Sequence, residues 1–191
     1  MNTLADNISL QKDIDKLIKW GETWQMKFNI QKCKSLHVGH NNNNDFYYSI
    51  GHEWLNHDTQ EKDLGVIVSN DLKPSKQCIE ARNKAIKMLG FIRAKVEYKS
   101  KDVILKCYNA LVRPHLEYCI QQWSPHIKQD IDMLEQVQRK TTRMIPNISH
   151  LSYEDRLKEM NLFKLTYRRL RGDLIQVFKI IRGFDKLDMG S

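Results

Sequence analysis

The chain has 191 residues, of which 41% are hydrophobic and 28% charged, a composition that suits one ordinary domain with room for a small appendage and argues against wholesale disorder. No apolar run approaches 18 residues, and Met1–Leu10 has neither a basic nor an apolar segment, so neither a membrane span nor a signal peptide is expected, and the expected place is intracellular, nuclear or cytoplasmic. The net charge of +8 is split unevenly: residues 1–70 hold seven lysines, no arginine and nine acidic residues, whereas residues 71–191 hold 24 basic and 14 acidic residues, including all ten arginines. Arginine's planar fork suits phosphate, so a basic second part beside an acidic first part points to a polyanionic partner.

Residues 8–28 read as an amphipathic helix, with Leu10, Ile14, Leu17, Ile18, Gly21, Trp24 and Phe28 at spacings of three and four. Gly21 weakens that helix by roughly 1 kcal/mol relative to alanine, so a kink or early end is expected near it. From Asn29 the pattern changes. Cys33, Ser35 and His37 alternate with Lys34, Leu36 and Val38 as in a strand. Gly39 and Asn41–Asn44 read as a turn, Phe46–Ile50 as the return strand, Gly51 as a second turn and Leu64–Val68 as a further strand. A small antiparallel sheet is the expectation.

From Lys73 onward the chain reads as helical. Pro74 suits a helix start. Cys78, Ala81, Ala85, Met88, Leu89 and Ile92 form one stripe, and Ile104, Cys107, Tyr108, Leu111 and Val112 form another behind the N-cap Ser100. Pro114 interrupts or restarts the helix. Ile131, Leu134, Val137, Thr141 and Met144 stripe a helix ended by Pro146. Ser152 with Asp155 caps a short one, and Tyr167, Leu170, Leu174, Val177, Phe178 and Ile181 stripe the last. Each stripe is expected to pack. The predicted class is α+β and mostly helical: a hairpin sheet with one long N-terminal helix over residues 1–70, a helical bundle over 71–148 and a helical extension over 149–191.

Four blocks, taken in order, resemble the reverse transcriptases of non-LTR (LINE-type) retrotransposons in the jockey-like branch. The first runs from Leu10-Gln11-Lys12-Asp13-Ile14-Asp15-Lys16-Leu17 through Trp20, Trp24 and Met26-Lys27-Phe28-Asn29 to Lys32-Cys33-Lys34. The second is Lys62-Asp63-Leu64-Gly65-Val66 with Asp71-Leu72. The third is Leu111-Val112-Arg113-Pro114-His115-Leu116-Glu117-Tyr118-Cys119 with Trp123-Ser124-Pro125. The fourth is Asp130-Ile131-Asp132, Leu134-Glu135 and Val137-Gln138-Arg139, with the later Arg168-Arg169-Leu170-Arg171-Gly172-Asp173-Leu174. The resemblance implies that Asn29–Lys34 corresponds to the palm after the catalytic strand, Tyr48–Leu55 to the primer grip, and residues from about 71 to a thumb that follows the template–primer duplex.

The family's polymerase chemistry uses two Mg²⁺ ions held by palm aspartates. Neither the early palm aspartate nor the Tyr/Phe-Ala-Asp-Asp box is present. Leu4-Ala5-Asp6-Asn7 is only a superficial likeness, because its last residue is Asn and it lies too close to Leu10. The chain therefore reads as truncated at both ends. It is expected to be inactive as a polymerase by itself, to bind no cofactor of its own, and to be completed, if at all, by an upstream polymerase segment. The alternatives are a domesticated module that binds nucleic acid or protein, and an inert pseudogene product.

Three basic helical faces are the expected contacts to the phosphates of an RNA–DNA or other duplex: Lys73, Lys76, Lys84 and Lys87; Arg139, Lys140 and Arg143; and Arg168, Arg169 and Arg171. Against this, lysine and arginine also line ordinary solvated faces. Lys32 matches a family lysine near the incoming nucleotide, a vestigial general acid at most. Cys33, His37, His40, His52 and His57 supply enough donors for zinc, but their spacing fits no familiar site, so no metal is expected.

Overall fold

The computed structural model describes residues 3–39 and 46–185. The chain divides into two compact units, Met1–Lys73 and Pro74–Ser191. The class is the expected mostly helical α+β.

In the N-terminal unit, α1 spans Leu4–Thr23 and begins four residues earlier than its apolar pattern suggests. The cause is a capping box: the Thr3 hydroxyl accepts from the Asp6 amide, and the Asp6 carboxylate accepts from the Thr3 amide. The segment that imitates a catalytic box is thus the first turn of a helix. Asn7 is buried and accepts from the Tyr48 hydroxyl at 3.1 Å. The helix ends two residues after Gly21, where the chain folds back on itself. A Cβ at Gly21 would meet Phe28 Cε2 at 2.8 Å and the Met26 carbonyl at 2.9 Å, so only glycine allows this return. The expected stripe is only partly covered, and Leu17 and Trp24 are exposed.

After a 3₁₀ turn at Ile30–Lys32 come β1 (Lys34–Leu36), β2 (Ser49–Ile50), β3 (Glu53–Trp54), β4 (Asn56–Asp58), β5 (Gln60–Asp63) and β6 (Val66–Ser69). They form three separate pairs, β1–β4, β2–β3 and β5–β6, in place of one sheet, and β1–β4 is parallel. Residues 46–50 do not return along β1. The Gly51 turn spends them on the β2–β3 hairpin, and the segment that reaches β1 runs in β1's own direction. Gln11 ties α1 to this hairpin, donating to the Ser49 carbonyl at 3.0 Å and accepting from the Ser49 amide at 2.9 Å. The β5–β6 hairpin turns on Leu64 (φ 45°) and Gly65 (φ 87°), both left-handed, the geometry that matches the twist of a two-residue hairpin. His40 and the Asn41–Asn44 turn lie outside the described residues.

In the C-terminal unit, α2 (Ser75–Lys95) follows Pro74. Cys78, Ala81, Ala85, Leu89 and Ile92 are buried as expected. The Ser100 hydroxyl caps α3 (Lys101–Cys107), accepting from the Val103 amide. A π turn at Tyr108–Val112 joins α3 to α4 (Arg113–Glu117). Pro114 has no amide hydrogen, so the helix interior just before it is where the regular hydrogen-bond ladder gives way. Then come α5 (Ile120–Trp123), α6 (Lys128–Arg143), α7 (Tyr153–Glu159, capped by Ser152) and α8 (Leu165–Ile181). The expected boundary near 148 falls inside this unit.

The centre of the unit is polar as well as apolar. Gln138 is fully buried. It accepts from the Tyr108 hydroxyl at 2.6 Å and donates to the Phe163 carbonyl at 2.9 Å and to the Tyr153 oxygen at 3.2 Å. Tyr153 in turn donates to Glu135, which also accepts the Leu165 amide at 3.0 Å. Burial, and then Glu135, push the Tyr153 hydroxyl's pKa upward, so it stays a donor. This chain fastens α7 and the start of α8 to α6. The stripe expected to bury α8 instead faces outward: its inner face carries Leu165 and Arg169, while Tyr167, Leu170, Leu174, Val177, Phe178 and Ile181 are exposed.

Candidate nucleic-acid interface

Helices α2 and α6 lie side by side and run the same way. At their N-terminal ends the Ser75 hydroxyl donates to Asp130 at 2.6 Å. At the other end a cleft of about 740 Å³ opens between the C-terminal half of α2, the loop after it and the last turn of α6. Arg93, Lys99, Lys140 and Arg143 line it, over a floor that includes Ile86, Leu89 and Met144. No carboxylate among the described residues lines it. Cations in the last turn of a helix complement the helix dipole, which accounts for part of this arrangement. Two helix C-termini contribute only about −0.5 charge each, against four positive side chains, and Lys99 lies beyond the end of α2. The cleft is therefore net positive. Burial, and then the positive charges of Arg143 and Arg139, lower the pKa of Arg156.

The structure separates the ten expected phosphate contacts. Lys140 and Arg143 line the cleft, whereas Arg139 lies over the Tyr153 ring at 4.3 Å. Lys76 and Lys87 are exposed on α2, Lys84 pairs with Glu80 at 3.2 Å, and Lys73, in the N-terminal unit, stands 3.7 Å from Asp71. The three arginines of α8 do not share a face, because successive helical residues are about 100° apart. Arg168 grips Glu117 through two hydrogen bonds of 2.5 and 3.1 Å. Arg169 points into the interior, where its guanidinium nitrogens have no hydrogen-bond partner among the described residues and burial lowers its pKa. Arg171 is exposed beside a smaller cavity. Of the three, only Arg171 presents its side chain to solvent, so the structure does not bring them together on one face. Conversely, Arg93 and Lys99 escaped the sequence reading. The only signal for Arg93 was its place in the last turn of α2, and nothing local marks Lys99.

Lys32 is exposed at the end of the 3₁₀ turn and is not on a strand. Among the described residues no group of His, Cys, Asp and Glu is arranged to hold a metal. The His37 and His57 rings lie 4.6 Å apart, tilted by 53°, Cys33 donates to the Asn29 carbonyl, and His40 lies outside the described residues. The N-terminal unit also has an apolar groove of about 860 Å³ between the end of α1 and the β2–β3 hairpin, lined by Ile18, Met26, Phe28 and Ile50 among others. No helix among the described residues is long and apolar enough to cross a membrane.

No protein-family model matches this chain, and no solved structure does. It is similar to the RNA-directed DNA polymerase from mobile element jockey of Drosophila melanogaster, with 24% identity over 145 residues that make up 74% of this chain and 16% of that protein. It is also similar to an uncharacterized protein of Caenorhabditis elegans, with 26% identity over 124 residues, 63% of each chain. The chain thus spans a small part of the first relative and just under two thirds of the second.

Proposed function

We propose that this chain is a reverse-transcriptase-derived module that holds a nucleic-acid duplex by its phosphates and does not polymerise by itself. The observation that carries the reading is the cleft at Arg93, Lys99, Lys140 and Arg143, four cations converging with no carboxylate among the described residues that line it. The similarity to the jockey polymerase supports a thumb-like role for the C-terminal unit. Phosphate contacts position a duplex without reading its sequence, so binding is sequence-independent and weakens steeply with salt. Polymer synthesis needs the palm aspartates and their two metal ions, and no such box occurs in this sequence. Where an upstream polymerase segment supplies them, this module keeps the primer in place.

The test is anisotropy of a labelled RNA–DNA duplex over a range of salt concentrations. A log–log slope of about −4 to −5 is expected. Replacing Arg93, Lys99, Lys140 and Arg143 with Gln flattens the slope by about 3.6. The same change at Lys12, Lys16, Lys19 and Lys27 leaves it nearly intact. A salt-independent affinity, or equal effects of the two sets, refutes the reading. Primer extension on poly(rA)–oligo(dT) with Mg²⁺ or Mn²⁺ is expected to give no product.

A further inference from the structure

Helix α8 has its apolar face on the outside, and that face has a regular order. Tyr167, Leu170, Leu174, Val177 and Ile181 follow one another at spacings of three, four, three and four, the seam of a left-handed helix pair. They are between 51% and 77% exposed. The helix is well formed without a partner. It ends in a left-handed Gly183, with the Phe184 amide donating to the Lys179 carbonyl and the Gly183 amide to the Ile180 carbonyl, a closed C-terminal turn.

The seam is complementary to itself. When a second α8 is laid antiparallel with the two-fold axis between Ile175 and Gln176, Leu174 faces Val177 of the second copy and Leu170 faces Ile181. Tyr167 faces the end that carries Phe184. Each seam position then meets an apolar residue, and every contact occurs twice, as a two-fold interface requires. On one flank Phe178, whose ring already carries the Arg182 guanidinium at 5.5 Å, lies beside Arg171 of the second copy. Arg168, which would otherwise bring charge near the seam, is turned away and held by Glu117. Covering most of the stripe, with Phe178 and Phe184, on both copies removes on the order of 1,200 Å² from water, within the range of specific pairs.

We propose that the chain forms a homodimer through an antiparallel pair of α8 helices. The proposal does not rest on the duplex-binding reading and is tested without nucleic acid. Sedimentation equilibrium of the whole chain under reducing conditions, from about 1 to about 100 µM, is expected to show the mass rising from 22.7 kDa toward twice that value. Leu174→Glu, at an exposed position, is expected to leave helicity unchanged and to weaken association at least about tenfold. Adding Val177→Lys sets Glu opposite Lys across the axis, twice, and restores the dimer in the antiparallel arrangement only. Tyr98→Glu, at a still more exposed aromatic in the loop after α2, has no effect. A chain that stays at 22.7 kDa throughout, association that ignores Leu174→Glu or responds equally to Tyr98→Glu, or a double variant that stays monomeric overturns the proposal.

Discussion

Among the described residues, the N-terminal unit buries three large apolar side chains, Tyr48, Leu55 and Val66, whereas the C-terminal unit buries apolar residues from all seven of its helices. The N-terminal unit fastens its long helix to a two-residue-per-strand hairpin with an amide, Gln11, and with the Asn7–Tyr48 contact. The C-terminal unit also uses buried polar groups, but sets them inside an apolar shell, where a hydrogen bond is strong and its loss is expensive. Local opening follows the apolar area given up, so the difference concerns stability as much as architecture. The unit with the thin core is also the acidic one, and the unit with the full core carries the arginines. A basic cleft needs a rigid frame to hold like charges together.

The largest effect that could break this comparison lies at Gln138. Gln138→Ala leaves the Tyr108 hydroxyl and the Phe163 carbonyl without their partner and opens a cavity in a fully buried site, so the C-terminal unit should lose about 3 kcal/mol. Urea unfolding measures it, and a loss under about 1 kcal/mol would mean the network is dispensable. Next comes the contrast itself. Hydrogen exchange should show amides of β2–β6 opening at least about tenfold more readily than those of α2 and α6. Equal protection would mean that polar fastening does as well as a full core.

A smaller effect sharpens the comparison from the other side. Leu64 is 83% exposed and sits at φ 45°, a left-handed conformation that a branched apolar residue adopts poorly. Leu64→Asn creates the Asn-Gly turn this hairpin geometry prefers and should stabilise the N-terminal unit by about 0.5–1 kcal/mol. No change in its thermal midpoint would show that the turn strain is relieved elsewhere.

The smallest effect is a pH dependence. Burial, and then the nearby His57, hold the His37 pKa below its ordinary 6.5. The unfolded chain therefore takes up the proton first as pH falls. Stability of the N-terminal unit should be fully present above pH 6.5, decline as pH drops toward the folded pKa, and level off below it. The carboxylates of Asp58 and Glu61, whose pKa values Lys34 holds down, act in a separate, more acidic window. Tryptophan fluorescence melts at stepwise pH should show the first decline, and His37→Gln should flatten it.

Much of this was legible beforehand because it is local. Ser100 and Ser152 announced their caps, and the small-residue stripe of α2 announced its buried face. The start of α1 was equally local, in Thr3 and Asp6, but the apolar pattern drew attention to residue 8. The parallel β1–β4 pair was not legible, since pairing depends on where the chain goes between its strands. The buried polar positions of α6 were not legible either. Glu135 and Gln138 look like solvent-facing residues until tyrosines from other helices reach them.

Composition, periodicity and caps by themselves determined that the chain is mostly helical, that its charge gathers in the second part and where α2, α3 and α7 begin. All of these depend on residues a few positions apart. Tertiary structure alone decided which faces are covered and which cations meet. A stripe shows that a helix has an apolar side and leaves open whether anything covers it, which is how α8 comes to present Leu174 to solvent and bury Arg169. A net charge likewise shows a sign without a place. Arg93 and Lys99 join Lys140 and Arg143 only because α2 and α6 run the same way and finish together. Convergence of side chains from distant segments is a property of packing, and it enters the free energy only once the chain has folded.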